Sequence, residues 1–190
     1  MSDVSKEEAM SAVRTLLNYV GEDPEREGLQ DTPKRFVKAW DEWFKGYKES
    51  PSEVLSTYFT EVEGYDGLIM LKRIPFESYC EHHIAPIIGY ATIAYLPKDR
   101  VIGISKLARI LDCFSKRLQV QEKMTSQIAN AIEQELEPLG VAVIVTAEHH
   151  CMTTRGVHKH QSEMITSEMR GKFRDELSLR TEIMSLHLGG

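Results

Sequence analysis

Two short clusters hold the groups most able to do chemistry in this chain, Cys80-Glu81-His82-His83 and His149-His150-Cys151. A thiol and an imidazole three residues apart across a turn can reach one ion, and thiolate with imidazole suits zinc. Before the second cluster, Val141, Val143, Val145, Ala147, His149 and Cys151 alternate onto one face of a predicted strand. That face is apolar until its end, where a histidine and a thiol appear. Three ligands, Cys80, His83 and Cys151, leave a tetrahedral zinc one open position for water, the arrangement of a catalytic metal. Zinc would bring such a water's pKa down towards about 7. His82 and His149 stand beside the ligands as candidate acid and base. Two other readings stay open on spacing alone: a four-ligand structural zinc that recruits a spare histidine, and no metal.

A second set of groups lies on a helix predicted to begin near Ser105. Lys106, Arg109, Lys116 and Arg117 fall within about a third of its circumference, at roughly 100° per residue. Such a stripe suits an anion of several charges, a triphosphate for example. A solvated basic face reads equally well. Ser105 is a candidate N-cap that could also meet a phosphate. Arg155 adds a cation four residues after Cys151. Gln121 and Glu122 open the next helix, where a carboxylate either favours the helix dipole or reads the N–H edge of a base. Cys113 reads as a packing residue, and His158-Lys159-His160 as a polar loop. Neither a Gly-x-x-x-x-Gly-Lys loop nor a Gly-x-Gly-x-x-Gly fingerprint is present.

The elements that must position these groups follow from periodicity. Ser5 and Glu8 form a capping-box pattern ahead of an apolar helical repeat that Gly21 ends. Thr32-Pro33 predicts a second helix start, through Phe36, Val37, Trp40 and Phe44. Residues 47–66 read as irregular, so residues 1–66 form an N-terminal helical segment and 67–190 the catalytic domain. Strands are predicted over Leu68 to Pro75 and Ile84 to Leu96. Both faces of the second strand are largely apolar, which predicts cover on both sides. Two amphipathic helices follow, one through Leu107, Ile110, Leu111, Phe114 and Leu118, the other from Val120 to Leu136. Gly140 then opens a strand from Val141 to Cys151. A strand near Met164 to Met169 and a helix from about Asp175 to Leu188 complete an α+β order.

Composition narrows the setting. The chain has 190 residues, 42% hydrophobic and 27% charged, ordinary for one globular domain with a sizeable core. A net charge of -6 argues against a nucleic-acid binder. No apolar run suits a membrane span, and the first residues lack a secretory h-region, so a cytoplasmic location is expected. Three cysteines, an odd number, do not suggest a disulfide framework.

Taken together, the motifs resemble those of GTP cyclohydrolase I. The resemblance rests on Cys80-Glu81-His82-His83, Val101 to Lys106 with Arg109, Gln119-Val120-Gln121-Glu122, His149 to Met152, Arg155-Gly156, Thr166-Ser167 and Arg170-Gly171. Thr32-Pro33-Lys34-Arg35 matches an earlier family segment. It implies a tunnelling fold, in which antiparallel sheets of several subunits close a barrel and helices pack outside. It further implies a homodecamer of two pentamers, with active sites at subunit interfaces and one Zn2+ per subunit on Cys80, His83 and Cys151. The implied substrate is GTP. Water activated at the metal attacks C8 of guanine while His149 protonates the imidazole nitrogen. His82 and Ser105 assist later proton transfers, formate leaves, and 7,8-dihydroneopterin triphosphate forms as the first step of folate or pterin biosynthesis. Glu122, Gln121 and the Val120 backbone would hold guanine; Lys106, Arg109 and Arg155 would hold triphosphate, joined by Arg35 from a neighbour. A zinc nucleobase deaminase is the competing enzyme class, but its His-x-Glu with Pro-Cys-x-x-Cys is missing. A regulatory nucleotide binder with structural zinc is the non-catalytic alternative.

Overall fold

A computed structural model describes residues 3–60 and 64–189. It divides into two compact units, Met1–Lys45 and Gly46–Gly190. The first unit pairs helix α1 (Lys6–Tyr19) with α2 (Thr32–Trp43). The capping box forms as expected: Ser5 Oγ accepts from the Glu8 N–H at 3.2 Å, and the Glu8 carboxylate accepts from the Ser5 N–H at 2.8 Å. At α2 the cap is Asp31, one residue earlier than the expected Thr32, and it makes no side-chain cap bond. Pro33 still sits in the first turn, where its missing N–H costs nothing. Phe36, Trp40 and Phe44 stack along the helix, with centroids 5.0 and 4.8 Å apart.

A 3-10 turn (Lys45–Lys48) runs into the stretch read as irregular, and a short helix α3 (Pro51–Leu55) lies within it. Ser50 caps α3 by accepting from the Glu53 N–H, and Pro51 starts it. Five residues are too few to show a helical period. Residues 61–63 of that stretch lie outside the described residues.

Five strands form one sheet: β1 (Ile69–Cys80), β2 (Pro86–Leu96), β3 (Leu118–Gln119), β4 (Gly140–His149) and β5 (Glu163–Gly171). Their order is β3-β1-β2-β4-β5, antiparallel except where β3 runs parallel to the end of β1. Helices α4 (Ile104–Ser115) and α5 (Gln121–Leu136) lie against one face. Leu107, Ile110, Leu111, Met124, Ile128 and Ile132 are fully buried there, against Ala91, Ile93, Tyr95, Val141, Val143 and Val145. Each such large side chain stabilises the fold by about 1.5–3 kcal/mol relative to exposure.

The expected strand to Cys151 ends at His149; α6 (His150–Thr153) follows, so Cys151 is presented by a turn of helix. After β5, α7 (Lys172–Asp175) and α8 (Leu177–Leu188) cover one end of the opposite sheet face, where Phe173 and Ile183 pack on Ala94, Leu96 and Ala142. Cover on both sides of β2 is therefore real in its second half, whereas Ile88 and Tyr90 each stay 48% exposed in the single chain. No helix among the described residues is long and apolar enough to cross a membrane.

Candidate metal centre and the groups around it

Three strand ends meet at one edge of the second unit. Cys80 closes β1, and its carbonyl accepts from the N–H groups of His83 (3.3 Å) and Ile84 (2.8 Å). The Cys80 N–H donates to Ala85 O at 2.9 Å, completing a tight turn into β2. Ile84 takes a φ of +55°, a left-handed conformation costly for a β-branched residue, so the turn is held against local strain. Across the sheet Ile87 pairs with His149, which brings the end of β4 and hence α6 beside that turn. The approach depends on Gly89, where a Cβ would fall 2.1 Å from Thr146 O on β4. On the other side, Cys80 pairs with Gln119 of β3, so Val120, Gln121 and Glu122 start α5 next to the same edge.

The result is one mutual group among the described residues: ligand atoms of Cys80, His83 and Cys151 lie within 4.8 Å of one another. Cys80 is buried, Cys151 half-buried and His83 exposed, an order that leaves one side open to solvent. The Cys80 Sγ to His83 Nδ1 separation is 3.9 Å. Zinc bonds of about 2.3 Å to sulfur and 2.0 Å to nitrogen at a tetrahedral angle place two ligands about 3.6 Å apart, so the donor set and its spacing fit that ion. His82 Nδ1 lies 3.6 Å from Cys80 Sγ but falls outside the mutual group, which speaks against a fourth protein ligand from His82. Burial pushes the Cys151 thiol above its ordinary range, and the Cys80 sulfur beside it pushes the same way. Arg155 Nη1 stands 2.9 Å from His83 Nε2 and thus at the rim of the group.

His149 is half-buried, and burial lowers its pKa, with the nearby Glu122 carboxylate opposing. Its Nε2 lies 2.8 Å from Gln121 Oε1. The Gln121 side chain is fully enclosed and every polar atom in it is engaged within the protein. A part for Gln121 in holding a base would therefore fall on its backbone N–H, unpaired in the first turn of α5.

The basic groups expected on α4 fall at different places along it. Ser105 and Lys106 lie in the first turn of α4, whose N-cap is Gly103 rather than Ser105. About 15 Å of helix, at roughly 1.5 Å per residue, separates Ser105 from the end of α4 that leads back to Cys80. Ser105 and Arg109 are exposed and Lys106 partly so, and among the described residues none makes an ion pair within the chain. Lys116 and Arg117 leave the basic stripe altogether. Lys116 is buried on Glu77, and Arg117 donates to Cys113 O at 2.6 Å and Glu49 O at 3.4 Å. Cys113 is buried beside Arg117, as a packing residue should be. In the first unit, Arg35 donates to Gly28 O and Thr32 Oγ1 and pairs with Asp31 at 3.6 Å. His158, Lys159 and His160 are exposed.

A largely antiparallel sheet crossed by a helix pair, with a thiol–imidazole group where its strands end, defines an α+β protein with a metal-capable site. Comparison with known proteins makes the assignment specific. The GTP cyclohydrolase I family matches over residues 9–188. A protein of Maricaulis maris named GTP cyclohydrolase 1 is 54% identical over 182 residues, covering 96% of this chain and 89% of the relative. Proteins of the same name from Hyphomonas neptunium and Brucella suis are each 53% identical, covering 96% and 95% of this chain and 88% and 85% of theirs. Among solved structures, apo archaeosine synthase QueF-Like is similar at 18% identity and a TM-score of 0.46, over 55% of this chain and 93% of that one. The chain belongs to the GTP cyclohydrolase I family, a family of hydrolases.

Proposed function

We propose that this protein is a zinc-dependent hydrolase that opens the imidazole ring of GTP, releases formate and forms 7,8-dihydroneopterin triphosphate, the first step of folate or tetrahydropterin biosynthesis. The observation that carries this reading is the mutual approach of Cys80, His83 and Cys151 in a chain that matches the family over nearly all its length. Those three residues would hold one zinc per subunit, whose chemistry when bound is to acidify a water for attack on C8 of guanine. His149, whose pKa burial lowers against the pull of Glu122, is suited to exchange a proton with the imidazole nitrogen of the base. His82, exposed beside Cys80, is suited to a later transfer at the ribose or the opened ring. The exposed Glu122 carboxylate, with the N–H groups that open α5, can pair with the N–H edge of guanine.

Arg155 stands at the rim and would meet the triphosphate directly. Ser105 and Lys106 lie in the first turn of α4, about 15 Å of helix from the end that leads back to Cys80. The Ser105 hydroxyl and the Lys106 and Arg109 cations suit a substrate bound at a neighbouring subunit's metal centre, with Arg35 as a further contributor. This favours active sites shared between subunits; the decamer of two pentamers follows from the family resemblance, and a cytoplasmic setting from the sequence reading. The test is a pair of variants. Cys151→Ser should lose both zinc and turnover. His149→Ala should keep zinc yet lose more than about 10²-fold in rate; full turnover in either variant would overturn the reading.

A further inference from the structure

Gln121 has a buried amide that the chemistry above leaves without a part. Its Nε2 lies 3.1 Å from Val145 O, 3.0 Å from Met164 O and 3.1 Å from Thr166 Oγ1. Two of these partners are carbonyl oxygens, which only accept. The amide therefore cannot be turned round, because Oε1 in that place would face lone pairs at close range. The neighbouring hydroxyls agree. Thr125 Oγ1 donates to Gln121 O at 2.8 Å, which leaves the Thr166 hydroxyl to donate to Thr125 Oγ1 at 2.7 Å and to accept from the amide. Val145 and Thr166 face each other across β4 and β5, so the amide is anchored to the sheet ladder itself.

With the nitrogen fixed, Oε1 is the atom 2.8 Å from His149 Nε2, and an amide oxygen only accepts. His149 Nε2 must carry a proton to make that bond. In the neutral imidazole the lone pair then resides on Nδ1.

We infer that Gln121 is a positioning residue for the ring-opening reaction, holding His149 in its Nε2–H tautomer so that Nδ1 is the nitrogen that exchanges a proton with the substrate. This rests on the proposed acid–base role of His149. It replaces a side-chain contact from Gln121 to guanine with an indirect role, since the amide has no free donor or acceptor. Loss of an outer partner that orients a working histidine typically costs about 10- to 100-fold in activity.

The experiment uses the whole zinc-loaded protein labelled with 15N-histidine, read by solid-state NMR. Subtracting the His149→Ala spectrum isolates the His149 signals from those of the other histidines among the seven. Wild-type His149 should be protonated on Nε2. In Gln121→Met, of similar length but with only a weakly accepting thioether in place of the amide, the two tautomers should mix. Its kcat for GTP should fall by about 10- to 100-fold, with KM changed less than about threefold and zinc content unchanged. A wild-type His149 protonated on Nδ1 would overturn the inference, and this result needs no variant at Gln121 to fold. So would a zinc-loaded Gln121→Met that keeps kcat and raises KM, the mark of a direct base contact. Wild-type protein that binds zinc but leaves GTP intact would instead sink the proposed function, while the spectrum still scores the tautomer.

Discussion

Zinc affinity should fall steeply on acidification, because Cys151 begins with a proton that the metal must expel. Burial raises its thiol pKa most, the Cys80 sulfur adds to the rise by disfavouring a second anion, and Arg155 opposes. Only the thiolate ligates metal, so binding releases that proton throughout the neutral range. The metal-free protein carries the proton and the loaded protein does not; affinity therefore rises with pH and levels off only above the raised thiol pKa. One released proton weakens binding about tenfold, or about 1.4 kcal/mol, for each unit of acidification. Between about pH 8 and pH 6 the loss should be at least a hundredfold. Competition against a chromophoric chelator of known proton affinity gives the constant at each pH. Calorimetry in buffers of different ionisation enthalpy counts the protons. Cys113→Ala, which alters a buried thiol beside Arg117 and away from the metal group, should leave the slope intact. A flat affinity across this window, or no proton release, would refute the reasoning.

Three further outcomes follow. If Ser105, Lys106 and Arg109 serve a neighbour's metal, co-assembling Cys151→Ser with Lys106→Glu subunits should restore about a quarter of wild-type turnover by random assortment, though each variant alone is nearly inactive; no recovery on mixing would contradict shared sites. Ile132→Ala, at a fully buried position of α5, should lower unfolding stability by about 2–5 kcal/mol, measured by denaturant titration, while zinc stoichiometry stays unchanged. Burial, and after it Lys72, lowers the pKa of His187, whose Nδ1 lies 2.9 Å from Thr92 Oγ1. The unfolded chain thus takes up this proton first as pH falls, so the stability His187 contributes is present above about pH 6.5 and is lost towards its lower folded pKa. His187→Gln should flatten that loss in the melting temperature of metal-free protein, and an unchanged pH dependence would assign it to another group.

Much of the site was legible because metal ligands impose residue type as well as spacing. Cys80, His83 and Cys151 stand out in any reading, and the structure gathers those three. Their route together was less legible. Alternation carried the strand through Cys151, but α6 intervenes, since four residues of helix leave no period to detect. The same limit hid α3. Helical geometry gave the basic stripe of α4 correctly as far as Ser115. It could not reveal that the chain leaves the helix there, sending Lys116 to Glu77 and Arg117 back onto Cys113. Gln121 stands beside Glu122 in the sequence, but its partners Val145, Met164 and Thr166 come from strands 24 to 45 residues away. No local pattern encodes such a contact. Likewise, the distance between α4's first turn and Cys80 depends on how the helix crosses the sheet, which follows from packing and not from the motifs.

The most direct test of the account is to incubate purified, metal-quantified protein with GTP and to measure formate together with the fluorescence of the oxidised pterin, beside a chelator-treated control. The account predicts equal amounts of formate and pterin, abolished with the metal and restored by zinc. Folded, zinc-loaded protein that yields no formate would contradict it.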